Sequence, residues 1–189
     1  MPARSRPLED YLYDNIVQPL IGRLFSIADA IDALDDDFDF YGSSPSFLTD
    51  FRWFKSIYGA EARRGNAIAR EAYLRNVVNL LDSRIETPPH DPAVGSAILA
   101  LAERFYTALL AVESGAVEGV ATSAATIAEI AAIVEPFSAL TADSLGELAR
   151  SLADPAPATE LPTGSFSTFF GRGMQYVSFL RRCSLPIQT

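Results

Sequence analysis

The sequence predicts an all-α fold: a single-domain bundle of about six to seven helices spanning residues 1–189. Three observations predict it. In Pro92–Ser114, the residues Val94, Ile98, Leu101, Phe105, Leu109 and Val112 recur at separations of three or four, which draws one apolar line down a helix. Phe47, Phe51, Phe54 and Tyr58 repeat the same rhythm with rings. No stretch alternates apolar and polar residues long enough to suggest a useful strand.

Pro92–Ser114 carries a second, weaker apolar line through Leu99, Tyr106 and Leu110. A helix that is apolar on two sides has to be surrounded, so it is expected at the centre of the bundle. Asp91 reads as its N-cap, Pro92 as its first residue and Gly115 as its terminator. Before it, Leu8, Tyr11, Leu12 and Ile16 share a face, while Leu20, Ile21, Leu24, Phe25, Ala28 and Ile31 share the opposite one. That phase jump at Pro19 predicts two helical pieces, near 8–17 and 20–34. Residues 35–46 (DDDFDFYGSSPS) read as an acidic loop. Ser44 and Pro45 then read as N-cap and first residue of an aromatic helix ending at Gly59.

A helix over 66–84 turns Tyr73, Leu74, Val77, Val78 and Leu81 inward, and the Thr87–Asp91 turn follows, with His90 expected on its surface. Residues 117–134 form a helix with alanine on its inner face, stopped by Pro136. Thr141 is placed to cap a short helix with Leu145, Leu148, Ala149 and Leu152 inward. Residues 154–164 (DPAPATELPTG) are a proline-rich connector. Phe166, Phe169, Phe170, Gly173, Met174, Val177 and Leu180 fit one last helical face, and 184–189 form a tail.

Composition narrows the function. With 15 Lys+Arg against 24 Asp+Glu the net charge is −9, and a nucleic-acid partner needs the opposite, a basic stripe. Lys55 is the only lysine; with the many alanines this fits GC-rich bacterial coding. One cysteine, Cys183, allows neither an internal disulfide nor a cysteine-rich metal site, and one histidine, His90, leaves no histidine cluster. No apolar core follows the early arginines, and Glu103, Arg104, Glu118 and Glu129 interrupt the most apolar stretches. The expectation is a cytoplasmic protein with no membrane partner and no cofactor.

Two stretches carry candidate chemistry. Asp35, Asp36 and Asp39 have the spacing D-D-x-x-D, which resembles the aspartate-rich motif of terpenoid and prenyl synthases. The resemblance implies a Mg²⁺ site for a substrate diphosphate, held by those three carboxylates on one helical face. The second metal motif of those enzymes (N/D-D-x-x-S/T-x-x-x-E) is missing, and a solvated acidic loop is the simpler reading. Phe51–Lys55 sets Arg52 and Lys55 among rings, including Trp53. With Arg172, Gln175 and Tyr176 of the last helix they form a candidate pocket for a small anionic ligand, although an aromatic stripe at this spacing is more simply core.

Arg84 falls within the apolar arc of its predicted helix. It either meets a carboxylate there or, more simply, snorkels outward from a helix end. Gly171–Tyr176 lacks the frame of a phosphate-binding loop. The functional expectation is protein association, first of all with a second copy of the chain and otherwise with another helical protein, and no catalytic motif. The alternative is a phosphate or diphosphate ligand site. Convergence of Arg52, Arg84 and Arg172 on one cavity would favour the ligand; their dispersal would favour association.

Overall fold

A computed structural model describes residues 24–49, 51–57, 64–153, 164–169 and 175–182. The helix expected over 8–17, the connector up to residue 163 and the 184–189 tail lie outside these residues. The described chain runs α1 (Ile27–Leu34), β1 (Phe38–Ser44), a 3₁₀ helix (Phe51–Ile57), α2 (Gly65–Leu74), α3 (Val77–Leu81) and α4 (Pro92–Glu113). It continues through α5 (Glu118–Val134), α6 (Ala139–Ala153), a second 3₁₀ helix (Ser165–Thr168) and β2 (Tyr176–Arg181). The protein is mostly helical, but β1 and β2 pair as a two-stranded antiparallel sheet, so all-α is a first approximation.

The two strands replace most of a predicted loop and the C-terminal end of a predicted helix. Register places Phe38 opposite Arg181, Phe40 opposite Phe179 and Ser44 opposite Tyr176, with a bulge between Phe40 and Gly42. Phe40 is buried while Asp39 and Tyr41 face out; Val177 and Phe179 are half-buried while Tyr176, Ser178 and Leu180 face out. That period of two is legible in FDFY and YVSFL. The helical reading failed because Phe166 and Phe169 extend the β2 residues into an accidental 3.6 rhythm.

Asn66 closes one edge of β1. Its Oδ1 accepts from Phe40 N–H (2.6 Å) and its Nδ2 donates to Phe38 O (2.8 Å) and Asp35 Oδ1 (2.7 Å), so a side-chain amide stands where another strand's peptide group would. Asn66 is buried. Asn66→Ala is therefore expected to cost about 2 kcal/mol, because a buried N–H and C=O lose their partner together. Urea denaturation of the variant checks this; a cost below about 0.5 kcal/mol would mean that water replaces the amide.

Three other predicted helices change. Ser26 makes a capping box with Asp29, through Asp29 N–H to Ser26 Oγ (3.1 Å) and Ser26 N–H to Asp29 Oδ2 (2.8 Å), so α1 starts at Ile27 and not near residue 20. The aromatic helix expected from Pro45 is absent up to Thr49; the Ser44–Pro45 peptide is cis, and among the described residues of this stretch Phe51–Ile57 is helical, as 3₁₀. Phe47 still reaches the core, where its ring lies 5.3 Å from Phe40 and 5.6 Å from Tyr73. The 66–84 helix is broken at Arg75 and Asn76 into α2 and α3.

α4 has the ends predicted for it. Asp91 accepts from Ala93 N–H (2.8 Å) with Pro92 following, and Gly115 adopts φ +92°. Gly115 N–H donates to Val112 O and Ala116 N–H to Ala111 O, which closes a Schellman turn. Its expected place at the centre is not observed. α4 buries Gly95, Ile98, Tyr106 and Ala108 out of 22 residues, whereas α5 buries seven out of 17 and lies between α4 and α6. α5 is the surrounded helix. The difference comes from side-chain size: Gly119, Ser123, Ala124 and Thr126 let α5 sit close to its neighbours, so less bulk buries more of it.

Ser123 is buried within α5, and its hydroxyl makes no hydrogen bond among the described residues. Ser123→Ala is expected to leave stability unchanged or raise it by up to about 1 kcal/mol, since it removes a desolvated donor and improves helix propensity. Thermal denaturation of the variant checks this. A loss above about 1 kcal/mol would show that the hydroxyl is satisfied.

Candidate functional site

Three assemblies of side chains could carry function. The first is a buried ion pair in the loop after α3. Asp82 is fully buried, and its carboxylate accepts from Arg84 Nη2 (2.7 Å), Arg84 Nε and backbone N–H (both 2.9 Å) and the Thr141 hydroxyl (2.8 Å). Burial alone would raise the pKa of Asp82; the hydrogen bonds from Arg84 and Thr141 and the charge of Arg84 outweigh it and hold the carboxyl below its ordinary value. The same guanidinium donates to Ser144 Oγ (2.8 Å), Ser165 O (2.9 Å) and Thr168 Oγ1 (2.9 Å), and lies 5.5 Å from the Phe169 ring centre.

Arg84 thus ties the 164–169 segment to α6. Glu147 adds a second tie by accepting from Phe166 N–H (2.8 Å). Backbone hydrogen bonds from Phe166 and Ser165 hold the Glu147 carboxyl below its usual range. Every strong donor of this network is spent within the chain, so it fixes architecture and leaves nothing directed at a ligand. The outward-snorkelling expectation for Arg84 is therefore corrected. The residue lies in the loop beyond α3, where Asp82, two positions back, neutralises it.

The second assembly is a cleft under Pro45–Trp53. One lobe, about 540 Å³, is lined by Phe47, Asn76, Asn79, Glu86, Thr87 and Pro88 among others; a neighbouring lobe of about 210 Å³ includes Trp53, Glu71 and Arg75. Its polar lining is largely engaged. Asn79 Oδ1 accepts from Thr87 N–H (2.7 Å), Asn79 Nδ2 donates to Thr87 O (2.9 Å), and Asn76 Nδ2 donates to Ala72 O (2.8 Å). Asn79 thereby braces the proline turn, and Asn76 is tied back to α2. His90, expected at the surface of that turn, is buried: Val78 N–H donates to its Nε2 (3.3 Å), Nδ1 lies 3.1 Å from Asp91 O, and the ring packs on Phe137. One backbone partner on α3 and one at Asp91 hold the imidazole inward.

The third assembly is an open groove of about 550 Å³ between α4 and α5. Its floor is small and apolar (Ala100, Ala108, Ala111, Ala116, Gly119), and Glu103, Arg104, Thr107, Glu118 and Thr122 complete it. Arg104 reaches across to α5, where it forms an ion pair with Glu129 and donates to Thr126 Oγ1 (3.0 Å). α4 has a mean hydropathy of 1.4 over its most apolar window, long and apolar enough by composition to cross a membrane, yet only 22% of that window is buried. Its outward residues Ala93, Ala97 and Ala100 are exposed, as are Ala121, Ala125 and Ala128 on α5.

The anticipated ligand residues are dispersed. Trp53 lines the cleft; Arg52 and Lys55 are exposed on the first 3₁₀ helix; Gln175 and Tyr176 are exposed at the start of β2; Arg172 lies outside the described residues. The pocket was to lie against a C-terminal helix, and a strand stands there instead. Asp39 is on β1 and so shares no helical face with Asp35 and Asp36. Asp35 pairs with Arg64 (2.8 Å) and Arg182 (3.6 Å), Asp39 pairs with Arg182 (2.8 Å), and Asp36 is exposed. Among the described residues no group of three or more His, Cys, Asp or Glu is placed to hold a metal ion. Comparison with protein-family models, with curated proteins and with solved structures finds no match to this chain.

Proposed function

We propose that this chain is an association module that accepts an α-helix in the groove between α4 and α5. The observation that supports this reading most is the mismatch on α4: the helix is apolar enough to belong inside, but its outward face is left beside a groove floored with alanine and glycine. Small side chains at a groove allow a third helix to approach closely, and an apolar surface of this kind is stabilised when covered. The ligand reading has less support, because Arg84 is spent on Asp82 while Arg52 is exposed, and the amides of the cleft are bonded to the backbone of Thr87 and Ala72.

Sedimentation equilibrium of the 20.5 kDa chain, alone and with designed amphipathic helical peptides, tests the reading. A complex with itself or with a peptide is expected in the micromolar range, and Thr107→Trp, an exposed groove position, is expected to abolish it. A chain that stays monomeric and binds no such peptide would contradict it.

A further inference from the structure

We infer, resting on the association reading above, that the helix accepted by the α4–α5 groove is cationic and amphipathic, and belongs to another protein and not to a second copy of this chain. The length of the groove suits a helix. Ala100 to Ala111 covers twelve residues of α4, about 16 Å or three turns at 1.5 Å rise per residue, enough to seat apolar side chains at i, i+4 and i+7 of a partner. The floor of Ala100, Ala108, Ala111, Ala116 and Gly119 gives those side chains room without a specific polar match.

Charge selects the partner. Glu103 and Glu118 stand in the groove lining, both exposed and neither in an ion pair among the described residues. The one cation present, Arg104, is engaged by Glu129 and Thr126. A partner therefore meets carboxylates that no described residue pairs, and lysines or arginines flanking its apolar face would answer them. A two-fold-related copy would bring Glu103 and Glu118 against the same acidic groove, between two chains that each carry a net charge of −9.

The test uses the full chain and fluorescein-labelled 18-residue helical peptides with one leucine face and either Lys, Gln or Glu flanks, titrated by fluorescence anisotropy. The Lys peptide is expected to bind at least tenfold more tightly than the Glu peptide at 20 mM salt, with the gap narrowing at 500 mM. E103Q/E118Q is expected to erase the preference and E103K/E118K to reverse it, while D143K on exposed α6 leaves it intact. T107W is expected to block binding.

Equal binding of all three peptides, still blocked by T107W, would overturn the cationic assignment and leave the association reading standing. Self-association blocked by T107W in the absence of peptide would overturn the choice of partner. Loss of all binding together with a monomeric chain would overturn both. Binding to phosphatidylcholine vesicles in place of peptides would assign the face to a bilayer and overturn the proposal.

Discussion

Asp82→Ala is expected to lower stability by about 3–5 kcal/mol, the range for stripping one partner from a buried ion pair. The loss is large because it does not stop at the pair. Arg84 keeps its charge inside the protein, and the Thr141 hydroxyl loses its acceptor at the same time. The guanidinium is also the clamp on Ser165 and Thr168, so local order at 164–169 is expected to fall with global stability. For a chain of 189 residues this corresponds to a drop in Tm of roughly 10 °C, measurable by calorimetry.

Replacing both members, Asp82→Leu with Arg84→Met, is expected to recover a good part of the loss, because no charge is then left buried. A double variant as unstable as the single one would show that the clamp on 164–169, and not the unpaired charge, dominates. The pH dependence follows in sign. The carboxyl of Asp82 titrates below its unfolded value, so its contribution is complete above the ordinary carboxylate range. It is lost as pH falls through the depressed folded value. Asp82→Asn is expected to flatten the acid limb of stability below about pH 4.

Gly95→Ala is expected to cost about 3 kcal/mol, against a helix-propensity gain of about 1 kcal/mol that a reading of α4 in isolation would forecast. Geometry decides the sign. A methyl group at Gly95 would stand 2.0 Å from the Leu74 carbonyl oxygen and 2.8 Å from its carbon, both backbone atoms at the end of α2. Neither can rotate aside, so relief requires lifting α2 off α4, which strips packing from Leu74 and Ile98 in the core. Chemical denaturation comparing Gly95→Ala with Gly146→Ala is the measurement. Gly146, on α6, has nothing within 4 Å of its added carbon and is expected to gain stability. Equal effects at the two sites would contradict the close approach.

Much of the helical architecture was legible because α4 and α5 advertise themselves through spacing and end signals: Asp91-Pro92, Gly115 and Pro136 each sit at the boundary they predict, whereas Thr141, the expected cap of α6, lies inside that helix and donates its N–H to Ser138 Oγ. What escaped the sequence depended on partners far along the chain. β1 is a strand because Asn66 and β2 satisfy its edges, and no local feature of FDFYGSS announces either. The acidic run of Asp35–Asp39 hid an alternation, and the charges of Asp35 and Asp39 are answered by Arg64 and Arg182, 29 or more residues away. Asp82 and Arg84 were visible as neighbours two apart, but their burial depends on Thr141 and Ser144, which approach only once α6 is folded. The groove was half legible. The apolar excess of Pro92–Ser114 pointed to association, while the reversal of α4 and α5 as the surrounded helix depends on small-residue packing that periodicity does not rank.

Amide hydrogen exchange of the full chain, with and without the Lys-flanked helical peptide, addresses the α4–α5 groove most directly. The account predicts slowed exchange confined to residues 100–122, with 45–53 and 86–89 unchanged. Protection over the Trp53 cleft with none on α4 and α5 would contradict it.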